Sequence, residues 1–174
     1  MKKTIIIIVA IIISGFSANV MAQATKNTTA GAKIVAPITI TETSSLNFGT
    51  MAVLASTAGT CVLSTQGVRT ATGGVNLSAQ TPIAANAAYT VGGAISTTYA
   101  ITLPSSITVS DLSTHTMTIN SLLARTASAG TNGLTGTLSG TGTDSFTIGG
   151  TLNVAAAQVA AVYSGTFNVT VAYN

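Results

Sequence analysis

The chain has 174 residues, of which only 5% are charged, and its formal net charge is +3. Its few basic residues form no cluster, which argues against nucleic acid or an anionic membrane surface as a partner. A typical globular protein has about 25% charged residues and uses them to resist association, so this composition favours a protein that works within an assembly or outside the cell.

Residues 1–22 have the order of a secretory signal peptide. Lys2 and Lys3 precede an apolar run from Ile5 to Ile13, and the segment ends with Val20-Met21-Ala22. The run is shorter than the about 20 residues that a membrane span needs. We therefore predict cleavage after Ala22 and export through the Sec pathway to the periplasm, the cell surface or the extracellular space. Without the two lysines, four basic and three acidic residues remain, a net charge of +1.

The mature chain is predicted to begin with a flexible arm over residues 23–32, which lack hydrophobic periodicity. A single domain over residues 33–174 follows. Its first strand is predicted from apolar side chains at alternate positions, namely Ile34, Ala36, Ile38 and Ile40. Pro37 has no N–H for a neighbouring strand, so this strand is placed at a sheet edge.

Short alternations of apolar and polar residues, separated by turn residues, predict further strands in the first two thirds of the domain. They cover residues 46–53, 59–65, 75–77, 87–91, 99–103, 107–109 and 117–119. Gly49 predicts a bulge in the first of these strands, and Gly73-Gly74 predicts a turn.

The region that follows has weaker signals. Residues 126–143 are rich in Gly, Thr and Ser, and predict a long connection or hairpin. Residues 146–154 predict a hairpin that turns at Gly149-Gly150. Residues 155–161 are the one place where a helical turn is expected.

The last twelve residues have the clearest alternation in the chain. One face would carry Tyr163, Phe167, Val169, Val171 and Tyr173, and the other Ser164, Thr166, Asn168 and Thr170. This pattern predicts a strand with one apolar and one polar face.

Many short strands with turn residues between them predict an all-β, antiparallel, immunoglobulin-like β-sandwich. The predicted core contains Ile38, Ile40, Leu46, Phe48, Val62, Tyr99, Ile101, Leu103, Ile119, Phe146, Ile148, Leu152, Phe167, Val169 and Val171.

His115 is the only histidine in the chain, and Asp111 and Ser113 lie close to it in sequence. The members of a catalytic triad are normally brought together from separate elements. In an extended segment four residues span about 13 Å, so Asp111 and His115 are not expected to touch. We therefore predict that the protein is not an enzyme.

Other reactive residues are few and scattered. Glu42, Asp111 and Asp144 lack the neighbouring carboxylate that a glycosidase needs. One histidine and one cysteine are too few for a zinc site, so no catalytic, cofactor-binding or metal-binding residue is predicted. Cys61, the only cysteine, is interpreted as a small buried apolar residue, with an intermolecular disulfide as the alternative.

Five segments resemble a bacterial secreted family known as domain of unknown function 4402. They are AKIVAPITI at residues 32–40, LNFG at 46–49, YAITLP at 99–104, FTIGGTLNV at 146–154 and YSGTFNVTVAYN at 163–174. These motifs occur in this order, and from the first to the last they span nearly the whole mature chain. The resemblance implies the family but no activity.

A weaker similarity links the chain to subunits of chaperone–usher fimbriae and to spore-coat-U-like pilins. It rests on the signal peptide, the β-rich chain and Tyr173, second from the end. It implies an incomplete sandwich that a neighbouring subunit completes by donating a strand, with a periplasmic chaperone and an outer-membrane usher as partners. The chain departs from that pattern in three ways: Ala161 stands where many such pilins have a glycine, no intramolecular disulfide is possible, and residues 24–32 lack the alternating large apolar residues of a donor strand. The donor would then be residues 33–41, and Pro37 within them counts against it.

Two interpretations remain. The first is an exported, non-enzymatic structural subunit of a surface fibre or matrix, in which residues 33–41 of one copy lie beside residues 163–173 of the next. Its partners would be further copies or other surface subunits. The second is a self-contained secreted or cell-surface binding module, such as an adhesin. The side chains expected to carry assembly are Ile34, Ala36, Ile38, Ile40, Phe167, Val169, Val171 and Tyr173.

Overall fold

The structure is a computed structural model in which residues 23–174 are described. The predicted signal peptide, residues 1–22, lies outside the described residues. Residues 23–33 have no regular secondary structure and are exposed. A compact unit extends from Ile34 to Asn174. No helix in the described part of the chain is long and apolar enough to cross a membrane.

Antiparallel strands rich in Thr, Val, Ile and Tyr, which fit a pleated surface, build this unit. In chain order they are β1 (Thr39–Ser44), β2 (Met51–Val53), β3 (Gly59–Leu63), β4 (Arg69–Gly73), β5 (Val75–Leu77), β6 (Ala87–Gly92), β7 (Thr98–Thr102), β8 (Ser106–Ser110), β9 (Thr116–Thr126), β10 (Thr135–Thr137), β11 (Thr143–Val154) and β12 (Thr170–Tyr173). The predicted all-β, antiparallel fold is confirmed, whereas its immunoglobulin-like topology stays a prediction.

The largest sheet has seven strands, with β11 at its centre. One side of β11 pairs with β6 along its first half and with β3 along its second half. Its other side pairs with β9. The sheet ends at β1 beyond β6, at β4 beyond β3 and at β8 beyond β9.

Two small sheets lie over one face of this large sheet and bury its apolar side chains. The order β10-β7-β12 forms one of them, and β2 pairs with β5 in the other. A first core cluster, which includes Val75 of β5, contains Phe48, Cys61, Leu63, Val75, Ile107, Val109, Ile119, Leu152 and Val154. A second core cluster, which includes two residues of β7, contains Ala87, Tyr89, Val91, Tyr99, Ile101, Ala124, Leu138, Phe146 and Ile148.

The predicted core is correct in part. Seven of its residues are buried: Phe48, Tyr99, Ile101, Ile119, Phe146, Ile148 and Leu152. The assignment of Val62 to the core is wrong, because Cys61 and Leu63 point inward and successive side chains of a strand point to opposite faces. The other seven are half-buried and line the margins of the core: Ile38, Ile40, Leu46, Leu103, Phe167, Val169 and Val171.

The predicted hairpin at Gly149-Gly150 is wrong. β11 runs through both glycines without a turn, and both are buried. A Cβ atom on Gly149 would collide with the main chain of Leu63 and Ser64. The glycine is therefore needed for the close approach of another strand and not for a turn.

The first predicted strands are longer in the sequence than in the structure. β1 begins at Thr39 and not at Ile34. Of residues 46–53, only the last three belong to a strand, because Gly49 has a positive φ of 73° that interrupts the extended backbone.

Later boundaries also differ. β10 lies within residues 126–143, and β4 was not predicted, since its Thr-rich sequence has little apolar alternation. The helical turn expected at residues 155–161 is wrong, because this segment forms irregular turns. Of the predicted terminal strand, only Thr170–Tyr173 forms a strand, while Ser164 makes a single bridge to Ser110 at the end of β8.

Candidate functional site

The turn between β8 and β9 brings together the two residues that were expected to stay apart. The Nδ1 atom of His115 lies 2.6 Å from Oδ2 of Asp111. The Asp111 Oδ1 atom accepts hydrogen bonds from the backbone N–H groups of Ser113, at 2.9 Å, and of His115, at 3.3 Å. The prediction failed because the chain reverses at this turn, where Leu112 has a φ of 64°.

This pair organises the turn and does not form a triad. The hydrogen bond from His115 holds the pKa of the Asp111 carboxyl below its usual value, assisted by the two backbone donors. Ser113 contacts Asp111 through its backbone N–H, not through its hydroxyl. The arrangement therefore has an acid and an imidazole but no positioned nucleophile.

Asp144 of β11 links the seven-stranded sheet to the three-stranded sheet, through Tyr99 of β7. Its Oδ2 atom accepts hydrogen bonds from the Tyr99 hydroxyl, at 2.9 Å, and from the Ser128 hydroxyl, at 2.6 Å. Burial, and then the hydrogen bond to this carboxylate, raise the pKa of the Tyr99 phenol. Among residues 23–174, no group of three or more His, Cys, Asp or Glu side chains is placed to hold a metal ion.

Cys61 lies in the first core cluster and is fully buried. Burial raises the pKa of its thiol. The interpretation of Cys61 as a buried apolar residue is confirmed. A disulfide to a second molecule would require the core to open.

β12 is an edge strand of the three-stranded sheet, and it pairs with β7 alone. The N–H of Asn174 donates to the Thr98 carbonyl near the start of β7. Because successive N–H groups of a strand point in opposite directions, the N–H of Ala172 also faces β7. The N–H groups of Val171 and Tyr173 therefore face away from the sheet and are available to a further strand.

Tyr173 joins this edge strand to the segment that precedes β1. Its hydroxyl donates to the Ala36 carbonyl at 2.8 Å and accepts from the Ala94 N–H at 2.7 Å. Gly93 permits this approach, because a Cβ atom there would collide with the Tyr173 hydroxyl. We define the seam as the half-buried side chains that pack beside the second core cluster along these two segments: Ile38, Ile40, Val169, Val171 and Tyr173.

The structure places the predicted assembly residues in three groups. Ile40, Val171 and Tyr173 lie in strands, with Ile40 paired to Val91 of the same chain. Ile38, Phe167 and Val169 lie outside strands but pack against the core, while Ala36 contacts Tyr173. Ile34 is 95% exposed.

Sequence reasoning missed Arg69, an inward-facing cation without an acidic partner. Its guanidinium donates to the carbonyls of Phe48, Thr50 and Ser78. An isolated arginine in a Thr-rich segment carries no signal for such contacts, because its acceptors are backbone atoms distant in sequence.

A family model described as domain of unknown function (DUF4402) matches residues 38–173. The chain therefore belongs to this family, as its motifs predicted. No curated protein matches the chain. The family's description names no activity, and the resemblance to fimbrial subunits stays a prediction.

Proposed function

We propose that the protein is an exported, non-enzymatic structural subunit of a bacterial surface fibre or extracellular matrix. The observation that carries this proposal is the seam, where half-buried apolar side chains lie beside the unpaired edge of β12. A strand from a neighbouring subunit would find the backbone N–H groups of Val171 and Tyr173 and apolar contacts at the same place. Such β-augmentation gives affinity through the backbone and specificity through side-chain contacts.

The lack of charge at this edge supports the proposal. Proteins that remain monomeric usually protect an edge strand with charged residues, proline or a covering loop. β12 has the sequence Thr170-Val-Ala-Tyr173 and carries no charge. β1, the edge strand on the other side of the seam, carries Glu42 alone.

The donor in this proposal is the segment that precedes β1. Of the predicted donor, 33–41, residues 39–41 pair with β6 of their own chain, so only residues 33–38 are left for a neighbour. On donation, Ala36 and Ile38 would exchange their own-chain contacts with the Tyr173 hydroxyl and the second core cluster for those of the neighbour. Ile34 supports this role, because a large aliphatic side chain gains about 1.5–3 kcal/mol when it is buried. A periplasmic chaperone that covers the seam before assembly, and an outer-membrane usher, belong to the same proposal.

A second candidate function is a self-contained binding module. It is favoured by the pairing of β1 within its own sheet, and by the absence of buried side-chain polar atoms without a hydrogen-bond partner in the described chain. A domain complete in this way does not require a donated strand to fold.

Edge-blocking variants of the mature protein, residues 23–174, distinguish the two functions. Thr170 on β12 and Thr102 on β7 are registered partners and are both exposed. Light scattering after size-exclusion chromatography and electron microscopy should show assembly of the wild type and of Thr102→Lys, but not of Thr170→Lys, because only the latter places a charge on the edge strand. A wild type that stays monomeric at high concentration would leave the second function in place.

A further pair of variants tests the donor segment. Ile34 and Leu112 are 95% and 90% exposed, respectively, so an aspartate at either position removes no buried apolar contact from the monomer. Ile34→Asp should prevent assembly, whereas Leu112→Asp, in the turn between β8 and β9, should not. Equal assembly of the two variants would contradict a role for residues 33–38.

A further inference from the structure

The face of the seven-stranded sheet that points away from the core is covered almost entirely by uncharged polar side chains. Residues in register across five strands form rows on this face. One row contains Thr72, Thr60, Asn153, Thr118 and Thr108, and the next contains Thr70, Val62, Thr151, Asn120 and Ser106. The alternation that turns Cys61 and Leu152 inward turns these side chains outward.

An open groove lies at one end of this face, where the start of β3, the start of β9 and the end of β11 meet. It has a volume of about 530 Å³ and is open to solvent. Its polar side chains are Thr60, Thr116, Thr118, Asn153 and Gln158, and no charged residue lines it.

Several hydrogen-bonding groups in the groove are free. The Asn153 side-chain N–H₂ donates to the Thr118 carbonyl at 3.0 Å. The Gln158 side-chain N–H₂ donates to the Tyr163 hydroxyl at 2.8 Å and to the Thr116 carbonyl at 3.4 Å. Both amides are held by these contacts. Their oxygens, and the hydroxyls of Thr116 and Thr118, make no hydrogen bond within the described chain and are available to a ligand.

We propose that this groove binds a neutral polysaccharide chain. Sugar hydroxyls both donate and accept hydrogen bonds, which matches fixed amide oxygens and threonine hydroxyls. The threonine methyl groups and Ala155 supply apolar contact for the C–H faces of a sugar ring. Threonine is also stiff at χ1, so little rotamer entropy is lost on binding.

Charge and composition separate this ligand from others. A groove without charged residues offers nothing to an acidic polysaccharide or a basic peptide. The core of a protein interface is enriched in aromatic residues, Met and Arg, and Met117 is the only such residue at the groove. A neutral glycan therefore fits this surface better than a second protein.

This inference goes beyond the proposed structural role, and its test is independent of assembly. Binding of cellohexaose, maltohexaose, mannohexaose and chitohexaose is measured by NMR titration on the Thr170→Lys variant, with hexagalacturonic acid as the acidic control. At least one neutral hexasaccharide should bind, and the acidic one should not. Perturbed amide signals should centre on the residues that line the groove.

Paired variants then test the residues. Replacement of Thr116 and Thr118 by valine removes two hydroxyls from exposed positions while keeping the branched shape. Affinity should fall about tenfold or more, since each hydrogen bond is worth about 1 kcal/mol. Replacement of Thr41 and Thr90 by valine, at registered positions on the same face but outside the groove, should leave affinity unchanged.

Three results would overturn the inference. They are the absence of binding to every neutral hexasaccharide, equal loss of binding in both valine pairs, and self-association of Thr170→Lys that the Thr116/Thr118 pair abolishes. The last result would assign the groove to a second copy of the chain. The first two results leave the role of β12 in assembly open, because the assays begin from the edge-blocked protein, whereas the third would also show that blocking β12 does not prevent self-association.

Discussion

The Tyr173 hydroxyl provides a direct test of how the C-terminal strand holds the segment before β1. Tyr173→Phe keeps the ring in the seam and removes two hydrogen bonds, one to the Ala36 carbonyl and one from the Ala94 N–H. A neutral hydrogen bond contributes about 1 kcal/mol net. Ala36 is exposed and can bond to water instead, whereas Ala94 is half-buried. We therefore expect a loss of about 1–2 kcal/mol, with most of it arising at Ala94.

The measurements are urea unfolding followed by circular dichroism, and hydrogen exchange of a peptide that covers residues 34–44. The midpoint should fall, and the amides of β1, Thr39–Ser44, which pairs with β6, should exchange about tenfold faster as the segment before it is released, since 1.4 kcal/mol changes an opening equilibrium by that factor. Tyr89→Phe is the matched control. Tyr89 stacks on Phe146 with ring centroids 5.1 Å apart, and its hydroxyl makes no hydrogen bond within the described residues.

Unfolding and exchange of Tyr173→Phe at wild-type rates would refute this reasoning. The tyrosine would then act through its ring alone. A loss in Tyr89→Phe of the same size as in Tyr173→Phe would also count against it, because the effect would then come from any buried hydroxyl and not from these two contacts.

Three further predictions concern the rest of the domain. Arg69→Met should lower the free energy of unfolding by about 3 kcal/mol or more, because three backbone carbonyls lose a charged donor. The control Arg125→Met removes two hydrogen bonds to the single carbonyl of Gly130 and should cost less than about 1 kcal/mol. Equal urea midpoints for the two variants would contradict this ranking. The pKa of the Asp111 carboxyl is lowered in the folded protein, so the stability that the ionised carboxylate contributes is complete above the ordinary aspartate pKa of about 4 and is lost as pH falls through the lower folded-state pKa. The melting temperatures of the wild type and of Asp111→Asn should therefore converge in acid. A difference in melting temperature that stays constant down to the lowest pH would contradict this prediction. Cys61 should not react with a thiol reagent in the native protein and should react once the protein is unfolded, so modification of the native protein at the unfolded rate would show that the first core cluster opens.

Hydrophobic alternation predicted the interior of this fold better than its edges. Ala87, Tyr89 and Val91 alternate and form the buried side of β6, because a central strand is defined by the face that it buries. The same pattern at Ile34 and Ile38, and at Phe167 and Val169, also predicts strands. These side chains differ in burial, yet none lies in a strand. Hydrophobic alternation predicts which side chains of a segment face the core, but it does not predict whether the segment pairs with another strand.

Turn residues in the sequence did not predict correctly where the chain reverses. Gly149-Gly150 has the sequence of a hairpin turn, but a glycine is equally needed where another backbone approaches closely, and the two causes look alike in a sequence. The prediction that Asp111 and His115 do not touch assumes an extended chain, whereas the chain reverses between β8 and β9 and brings the two side chains together. The groove at Asn153 and Gln158 had no motif at all, because it depends on the register of strands that are distant in sequence. Rows of threonine at alternate positions were the only signal available for it.

The seam and the groove lie at opposite ends of the central strand. Thr143 begins β11 and pairs with Gly92, close to the loop that contacts Tyr173, whereas Val154 ends β11 and lines the groove. A strand of twelve residues spans about 36 Å, so a segment donated at the seam would not occupy the groove. The assembled protein should therefore bind as much neutral hexasaccharide per subunit as the monomeric Thr170→Lys variant, measured by equilibrium dialysis. A fibre built in this way would present one glycan site at every repeat, and its affinity for a polymeric glycan would exceed that of one subunit through multivalency. Loss of hexasaccharide binding on assembly would show instead that subunits meet at the groove, and the geometry proposed for the fibre would be wrong.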